Sequence, residues 1–445
     1  MTMKTFLLWT LITLSSMALG CLLPEERDDN KLKTVIRRQS GTGMPIGTGD
    51  RFNGGAIAPR GLGTQSTTFS TLLNVKEIKS GLEGLVGAYG IQTFETPYKT
   101  YEGATVLGAK VGGTRGSCNN AFRVFFNGNI HARERGSMDS IVYFISDLLY
   151  ANKNNIGLTY GSKTYTNAQV KTALSAGIVF IPLSNPDGVA YDQSTHSCWR
   201  KNRNPGSGSG SGQSVGVDLN RNFDFLWDFR NLFASSIQSS LASTSPSSQT
   251  YHGTSAFSEP ETKNIKWVFD TYSKIRWFID LHSDGGDVLY SWGSDENQSK
   301  WPYMNFLNDS YSSVRGLLSD IPGCGRGYGE YTPTADLNAN IATAQRMASA
   351  MTAGSGRAYT SLQAAAVYPT SGASDDYAYS RHFADPSKNL VHAYTVEYGF
   401  GNSAASCPFY PSVSQYNSNL KATSAGFIEL LLSAVELGLG DVPTC

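Results

Sequence analysis

Hydrophobic residues follow two different periods along the chain from about residue 69 to the C-terminus. Short, mostly apolar runs predict buried strands, and four such runs cover residues 122–130, 177–183, 275–281 and 393–398. Longer stretches carry apolar residues at helical spacing and predict helices over residues 137–151, 259–273, 333–353 and 412–436. Strands that alternate with helices in this way predict an α/β fold, in which helices cover both faces of one sheet.

The start of the chain lacks this periodicity and predicts a targeting segment. Residues 1–20 combine Lys4, an apolar run over residues 6–15 and small residues up to Gly20, which is typical of a secretory signal peptide. A membrane anchor is the alternative, but a bilayer span needs about 20 apolar residues, and no run in the chain has that length. We therefore expect a secreted, extracellular protein that is not held in a membrane.

Residues 21–68 are polar and rich in glycine, proline and arginine, which predicts a short pro-segment or linker before a folded domain at residues 69–436. A C-terminal tail is predicted at residues 437–445. The dibasic pair Arg37–Arg38 is either a processing site or two solvated arginines. The glycine–serine run at residues 206–212 resembles a linker, but we expect a surface loop because motifs of one domain flank it on both sides.

Composition and charge narrow the range of partners. The 445 residues include 36 acidic and 36 basic side chains, so the formal net charge is zero, and it does not indicate binding to nucleic acid or to a membrane surface. The six cysteines are scattered without a C-x-x-C pair, which argues against a cysteine-based zinc site. In a secreted protein these cysteines predict disulfide bonds. We expect the protein to be a monomer.

A candidate metal site combines residues that follow two of the predicted strands. His131 and Glu134 form an H-x-x-E spacing directly after the strand at residues 122–130, and His282 follows the strand at residues 275–281. Open α/β sheets place their ligand sites at the carboxyl ends of strands. Two histidines and one glutamate leave a fourth position for water, as in catalytic zinc sites. An accidental H-x-x-E spacing is the alternative for these residues alone.

Six segments occur in a specific order along the chain. They are residues 131–134 (HARE), 198–203 (CWRKNR), 216–223 (GVDLNRNF), 279–283 (IDLHS), 368–377 (YPTSGASDDY) and 395–399 (TVEYG). In this order the chain resembles the pancreatic-type zinc metallocarboxypeptidases, the carboxypeptidase A/B family, over residues 69–436. The resemblance implies a single α/β domain with a mixed, twisted sheet of roughly eight strands and helices on both faces. It also implies one zinc ion, Zn2+, held by His131, Glu134 and His282.

The resemblance implies roles for further residues of these segments. Glu397 matches the general base that activates the attacking water, and Arg203 matches the arginine that stabilises the oxyanion. Asp218 matches a carboxylate that orients the first zinc histidine. The remaining matches are groups that hold the substrate, namely Asn220 and Arg221 at its terminal carboxylate, Tyr368 closing over it, and Arg133 and Arg200 along the upstream peptide. The implied substrates are peptides and proteins with free C-termini.

Asp375 matches the family position at the base of the pocket for the C-terminal side chain. In the family an acid at this position goes with C-terminal lysine or arginine, and an apolar residue goes with apolar or aromatic ones. We expect a B-like, basic specificity because a buried carboxylate is costly unless a cation pairs with it. The alternative is that Asp375 pairs within the protein and leaves a broad pocket.

Two other functions compete with this interpretation. A non-catalytic binding protein of the same fold would be indicated by loss of the base, the arginines or a metal ligand, and all of these residues are present. A zinc hydrolase for cell-wall peptides or small acylated amino acids is disfavoured by the Asn220–Arg221 pair and by Asp375.

The chain also departs from the pancreatic members, because Asp284 replaces a tyrosine and the family cysteine expected near Ser214 is absent.

Overall fold

The computed structural model describes residues 22, 26, 41–113, 119–208, 212–318, 320, 322 and 327–440. The predicted signal peptide, the Arg37–Arg38 pair and the last five residues lie outside this part of the chain. Twelve strands occur in the described residues: β1 (Gln92–Glu95), β2 (Leu107–Val111), β3 (Val124–Gly128), β4 (Leu158–Tyr160), β5 (Lys163–Tyr165), β6 (Ile178–Ile181), β7 (Trp277–His282), β8 (Asp287–Tyr290), β9 (Asn297–Gln298), β10 (Glu330–Tyr331), β11 (Thr360–Gln363) and β12 (His392–Glu397).

The same residues form ten α-helices. These are α1 (Val75–Tyr89), α2 (Ser137–Lys153), α3 (Asn167–Ser175), α4 (Pro186–Thr195), α5 (Phe229–Leu232), α6 (Gln238–Leu241), α7 (Pro260–Thr271), α8 (Thr334–Ser355), α9 (Ser374–Ala384) and α10 (Val413–Leu437). The four helices predicted from apolar spacing are α2, α7, α8 and α10, and the structure confirms each within a few residues. No helix in the described ranges is both long and apolar enough to cross a bilayer.

Eight strands form one mixed sheet in the order β1-β2-β6-β3-β7-β12-β8-β11. Its centre is the parallel group β6, β3, β7 and β12, which are the four strands predicted from the sequence. Antiparallel β1 and β2 extend one side, whereas β8 pairs antiparallel with β12 and parallel with β11 on the other. This sheet confirms the predicted fold class, a single-domain α/β architecture with a mixed eight-stranded sheet.

Helices cover both faces of the sheet because its central strands are apolar on both faces. Every residue of β3, β6, β7 and β12 is buried. Neighbouring residues of a strand point to opposite faces. In β3, Phe126 therefore packs against Phe144 of α2 and Phe427 of α10, while Phe125 packs against Phe269 of α7. Each face thus has its own hydrophobic core, and the strand ends between them are left for polar residues.

Residues 41–68 pack against the domain in the structure, although their sequence predicted a pro-segment or linker. Met44 and Phe52 are buried in the core that also contains α1 and α2. The Arg51 guanidinium donates to the Glu77 carboxylate of α1 at 2.7 Å, and the Gly63 amide donates to Asp147 of α2 at 2.7 Å. This part of the segment therefore contributes to the fold of the domain, and its removal during maturation stays a prediction.

Phe52 provides a test of that contribution. Replacing Phe52, which is 3% exposed, with alanine should lower the free energy of unfolding by about 3–5 kcal/mol, because a large core side chain is lost and a cavity remains. Ile57, five positions later, is 53% exposed, so Ile57→Ala should change stability by less than about 0.5 kcal/mol. Urea unfolding of both variants measures the difference. Equal small effects would show that residues 41–68 are not part of the folding unit.

Candidate metal centre and substrate pocket

Three buried side chains converge at the carboxyl ends of β3 and β7. One ligand atom from each of His131, Glu134 and His282 lies within 4.8 Å of the others. The His131 Nδ1 is 2.7 Å from Glu134 Oε1, and the His282 Nδ1 is 3.1 Å from His131 Nδ1 and 3.2 Å from Glu134 Oε2. Both histidines therefore turn the same ring nitrogen toward a common centre, where one ion could contact all three residues.

The loop that carries two of these residues is fixed by its own backbone contacts. After β3, Asn129 takes a positive φ of 51°, a conformation that asparagine tolerates better than most residues. Its side-chain oxygen accepts from the Met138 amide at 2.7 Å at the start of α2, and its side-chain nitrogen donates to the Glu134 carbonyl at 3.1 Å. The loop between β3 and α2 is thereby closed into a tight turn that points His131 and Glu134 to one side.

Two further carboxylates contact the histidine rings on the side that faces away from the metal centre. Asp218 lies 3.0 Å from the His131 Nε2, and Asp280 lies 3.2 Å from the His282 Nε2. An ionised carboxylate only accepts hydrogen bonds, so each Nε2 carries the proton and each Nδ1 presents its lone pair to the centre. Metal-binding histidines are commonly oriented by a carboxylate in this way.

The sequence analysis identified Asp218 but missed Asp280. Asp280 precedes His282 by two residues on β7, and residues two apart on a strand share a face. That spacing was the available signal. Asp280 also accepts a hydrogen bond from the Asn127 side chain of β3 at 2.8 Å and one from the Ser374 hydroxyl. It is thereby fixed between two strands and the start of α9.

The electrostatics of the centre favour ionised carboxylates. Burial would raise the pKa of the Glu134 carboxyl, but the two histidines outweigh it and hold that pKa well below the usual range. Burial likewise opposes ionisation of Asp218, and the positive charge of Arg200 together with His131 lowers its pKa. Two imidazole nitrogens and one carboxylate are a donor set that suits zinc, and the residues present therefore fit this metal.

A pocket of about 40 Å³ lies beside the metal ligands. It brings together six residues that the sequence analysis assigned to catalysis or substrate binding: Arg200, Asn220, Arg221, Tyr368, Asp375 and Glu397. They come from distant parts of the chain, and Leu289, Ala364, Val367 and Ala373 add apolar surface between them. The pocket therefore combines cationic, anionic and apolar walls next to a metal site.

Arg221 is held so that its guanidinium faces this pocket. It is 1% exposed, and it donates from Nε to the Leu241 carbonyl and from Nη1 to the Asn220 carbonyl, both at 2.7 Å. Its Nη2 is 3.5 Å from the Tyr368 hydroxyl. The Asn220 side-chain oxygen accepts from the Ser374 amide at 2.8 Å. The two residues are thus preorganised beside a tyrosine, an arrangement that can bind a carboxylate through charge-assisted hydrogen bonds.

Glu397 lies directly across the sheet from a metal ligand. It is the last residue of β12, and the parallel register pairs it with His282, the last residue of β7. Two residues earlier, Thr395 pairs with Asp280. The Thr395 hydroxyl donates to the Asp375 carboxylate at 3.0 Å, which links the base of the pocket to the same strand. Glu397 is 4% exposed, so its carboxylate is shielded from bulk water.

Asp375 is buried and lines the pocket. Burial raises the pKa of its carboxyl, although hydrogen bonds from the Asp376 amide and the Thr395 hydroxyl act in the opposite direction. The neighbouring carboxylate of Asp280 raises it further. A cation in the pocket would therefore be stabilised by Asp375 and would in turn favour its ionised form.

The two arginines of residues 198–203 occupy different environments. Arg200 is 1% exposed, lines the pocket and donates from Nη2 to Asp218 at 2.9 Å. The sequence predicted that Arg203 stabilises the oxyanion. In the structure its guanidinium stacks on Tyr191 at 3.8 Å and on Trp199 at 4.7 Å. Its Nε is 3.5 Å from Glu102. The structure brings Arg200 into the pocket and leaves Arg203 outside the group of residues that line it.

Arg133 also lies near the metal ligands, but it is engaged by the N-terminal segment. Its guanidinium stacks on Phe409 at 4.4 Å and donates to the two Glu26 carboxylate oxygens at 2.8 and 2.7 Å. A disulfide bond between Cys198 and Cys407, with an Sγ–Sγ distance of 2.03 Å, ties this aromatic region to the segment that carries Arg200. This bond is an instance of the predicted disulfides, and the other four cysteines lie outside the described residues.

Comparison with known proteins places the chain among zinc peptidases. The family described as zinc carboxypeptidase matches residues 88–425. Carboxypeptidase B of Helicoverpa zea is 30% identical over 211 residues, which are 47% of this chain and 43% of that protein. Zinc carboxypeptidase A 1 of Drosophila melanogaster is 26% identical over 333 residues, or 73% and 62% of the two chains. The match thus spans less than two thirds of the length of either relative.

Solved structures share the fold. The crystal structure of carboxypeptidase A from Helicoverpa armigera matches with a TM-score of 0.58 at 20% identity, over 82% of this chain and 74% of that one. Zinc is the metal of the matched family, and His131, Glu134 and His282 supply a site for it in this chain.

Asp280 provides a test of the metal centre. Asp280→Asn keeps the shape of the side chain but removes the charge that fixes the His282 ring, so zinc affinity should fall about 10- to 100-fold. Asp224 is exposed, and Asp224→Asn should leave the affinity unchanged. Competition with a chelator of known affinity, on folded protein at constant pH, measures both variants. An unchanged affinity in Asp280→Asn would show that its contact with His282 does not support metal binding.

Proposed function

The chain belongs to the zinc carboxypeptidase family, and we propose that it hydrolyses the C-terminal peptide bond of peptides and proteins. The observation that carries this proposal is the buried Arg221, preorganised with Asn220 and Tyr368 in a pocket that also contains Glu397. An internal residue of a peptide has no free carboxylate for Arg221 to bind. A site built around that contact therefore selects the end of a chain, which distinguishes an exopeptidase from an endopeptidase.

The proposed chemistry divides between the metal and the side chains of the pocket. Zinc, when bound, lowers the pKa of water and polarises the scissile carbonyl. Glu397 takes a proton from the attacking water and later delivers a proton to the leaving amine, which is the work of one group acting as base and then as acid. Tyr368 and Arg221 hold the terminal carboxylate, so the scissile bond lies at a fixed distance from Glu397.

We assign stabilisation of the oxyanion to Arg200 rather than to Arg203. Arg200 lines the same pocket as Glu397, and an arginine remains charged throughout the reaction. Its contact with Asp218, which also holds His131, connects the oxyanion site to the metal centre. Arg203 lies on aromatic rings and near Glu102, where it contributes to packing. We therefore propose Arg200, and not Arg203, as the residue that stabilises the oxyanion.

The proposed specificity is for C-terminal lysine or arginine. Asp375 lines the pocket beside the groups that bind the carboxylate, and it is a buried acid for which the described residues supply only hydrogen-bond donors at its two oxygens. A lysine or arginine side chain of the substrate would supply the cation. We further propose that the protein is secreted as a monomer after loss of residues 1–20, with a domain at residues 69–436 that carries the activity.

Release of C-terminal residues tests the function and the specificity together. Peptides that differ only in a final arginine, lysine, phenylalanine or leucine should lose arginine and lysine fastest, and a zinc chelator should abolish release. Asp375→Asn should lower kcat/KM for arginine about 10- to 100-fold, because an ion-paired hydrogen bond is lost, and should affect leucine little. Peptides with an amidated C-terminus should resist cleavage.

The possible failures are distinguishable. Preferred release of phenylalanine and leucine would retain the carboxypeptidase activity and reject the role of Asp375. Rapid hydrolysis of amidated peptides would reject the role of Arg221. No release of any residue by folded, zinc-loaded protein would reject the activity as a whole.

The matched pair Arg200→Gln and Arg203→Gln tests the assignment of the oxyanion. At saturating zinc, Arg200→Gln should lower kcat about 10²- to 10³-fold, because a preorganised donor to the developing charge is lost. Arg203→Gln removes the same charge from a position three residues away and should change kcat less than about threefold. A larger loss in Arg203→Gln than in Arg200→Gln would restore the assignment made from the sequence.

A further inference from the structure

A second cavity lies at the opposite end of the sheet from the metal centre. It has a volume of about 530 Å³ and is lined by the last turns of α7 and α9 and by the segments that connect these helices to β7 and β12. Strand β7 starts at Trp277 beside this cavity and ends at His282 in the metal centre. Five strand residues at about 3.3 Å each separate the two sites by roughly 17 Å. The cavity is therefore not an extension of the substrate pocket.

The lining of this cavity has an excess of positive charge. Four basic side chains line the cavity together with one carboxylate, Asp270, and the imidazole of His382: Lys274, Arg276, Arg381 and Lys388. The charge of Asp270 is already shared, since it accepts from Arg381 at 2.7 Å and from Lys266 at 2.6 Å. The Lys388 Nζ lies 4.0 Å from the same carboxylate. Two of the lining cations, Lys274 and Arg276, thus form no ion pair with any described residue.

Arg276 is the least satisfied of these cations. Its Nε is buried, and no described residue accepts a hydrogen bond from it. Asp336 of α8 is close enough to be influenced by the charges of Arg276 and His382, although the described contacts include no ion pair between them. A buried donor without an acceptor costs about 1–3 kcal/mol of stability, so an acceptor in the cavity would be favoured.

Local structure explains some of the charge but not this arginine. The C-terminal ends of helices attract cations, which accounts for Arg381 and His382 in the last turn of α9. Arg276 belongs to neither helix. The cavity wall beside it is held in shape, because the Asn389 side chain donates to the carbonyls of residues 274 and 275, at 3.2 and 2.8 Å, and the His382 Nδ1 is 2.8 Å from the Lys388 carbonyl.

We propose that this cavity is a binding site for a doubly charged tetrahedral oxyanion, either a free sulfate or phosphate ion or the sulfate or phosphate ester of a larger molecule. A guanidinium offers parallel donors that match two oxygens of such a group, and lysines add charge without fixing its orientation. Arg276 is its principal ligand, with Lys274 and Lys388 beside it. Binding at this distance leaves the zinc site and the substrate pocket unobstructed.

Calorimetric titration of zinc-loaded, full-length protein with sulfate, at constant ionic strength, tests the site. A second arm uses a sulfated monosaccharide, and tighter binding of the sugar than of sulfate identifies an ester as the natural ligand. Arg276→Gln and Lys274→Gln should each weaken binding about tenfold or more, because a donor to a charged group is lost. Lys76 is exposed on α1, and Lys76→Gln is the matched control that should not change the affinity.

Two outcomes would overturn the proposal. One is the absence of binding to the folded wild-type protein. Another is binding that survives in Arg276→Gln and Lys274→Gln but disappears in Arg221→Gln, which would assign the anion to the substrate pocket. Release of C-terminal residues from peptides should be equal in the wild type and Lys274→Gln, so a failure of the proposed activity is detected separately.

Discussion

The parallel pairing of β7 with β12 sets the positions of most of the reactive groups. In its register His282 lies opposite Glu397, and Asp280 lies opposite Thr395. Side chains directly opposite in a sheet share a face, so a metal ligand, the carboxylate behind it, the proposed base and the threonine that holds Asp375 all project to one side. A shift of β12 by one residue in this register would turn Glu397 and Thr395 to the face opposite His282 and Asp280.

Asp218 connects the remaining groups to this face. It lies 3.0 Å from the His131 Nε2, accepts from Arg200 at 2.9 Å, and accepts from the Asn220 amide at 3.1 Å. One buried carboxylate therefore orients a metal ligand, the proposed oxyanion donor and the first residue of the pair proposed to bind the substrate carboxylate. Removing either partner of a buried ion pair is strongly destabilising. The contacts that Asp218 makes with Arg200 and His131 therefore hold this part of the site in one arrangement.

The sequence predicted the centre of the fold better than its borders. The four central strands are buried on both faces, so each is a mostly apolar run that is visible without any structure. The outer strands β1 and β11 contain exposed and half-buried residues, and their pairing depends on neighbours rather than on composition. The same reason explains residues 41–68, whose few core residues are too widely spaced to form a period.

The candidate site shows the same limit at the level of single residues. Motifs identified the three metal ligands and the groups of the pocket, because those residues stand next to each other in short segments. A motif does not say which of two arginines three positions apart faces the pocket, and only the fold separates Arg200 from Arg203. Asp280 was missed because its role depends on the orientation of a ring on the same strand.

The contact between Glu26 and Arg133 makes the N-terminal segment a competitor within the same molecule. Because Glu26 and Arg133 belong to one chain, the Glu26 carboxylate is present near Arg133 at an effective concentration on the order of millimolar, and this does not depend on the concentration of the protein. Any ligand that needs Arg133 must displace it, and the apparent dissociation constant is the intrinsic constant divided by the fraction of molecules in which Arg133 is accessible. A break in the chain between residues 26 and 41 would turn this tethered competitor into a dilute one, and affinity at Arg133 would rise without a change in any residue of the pocket.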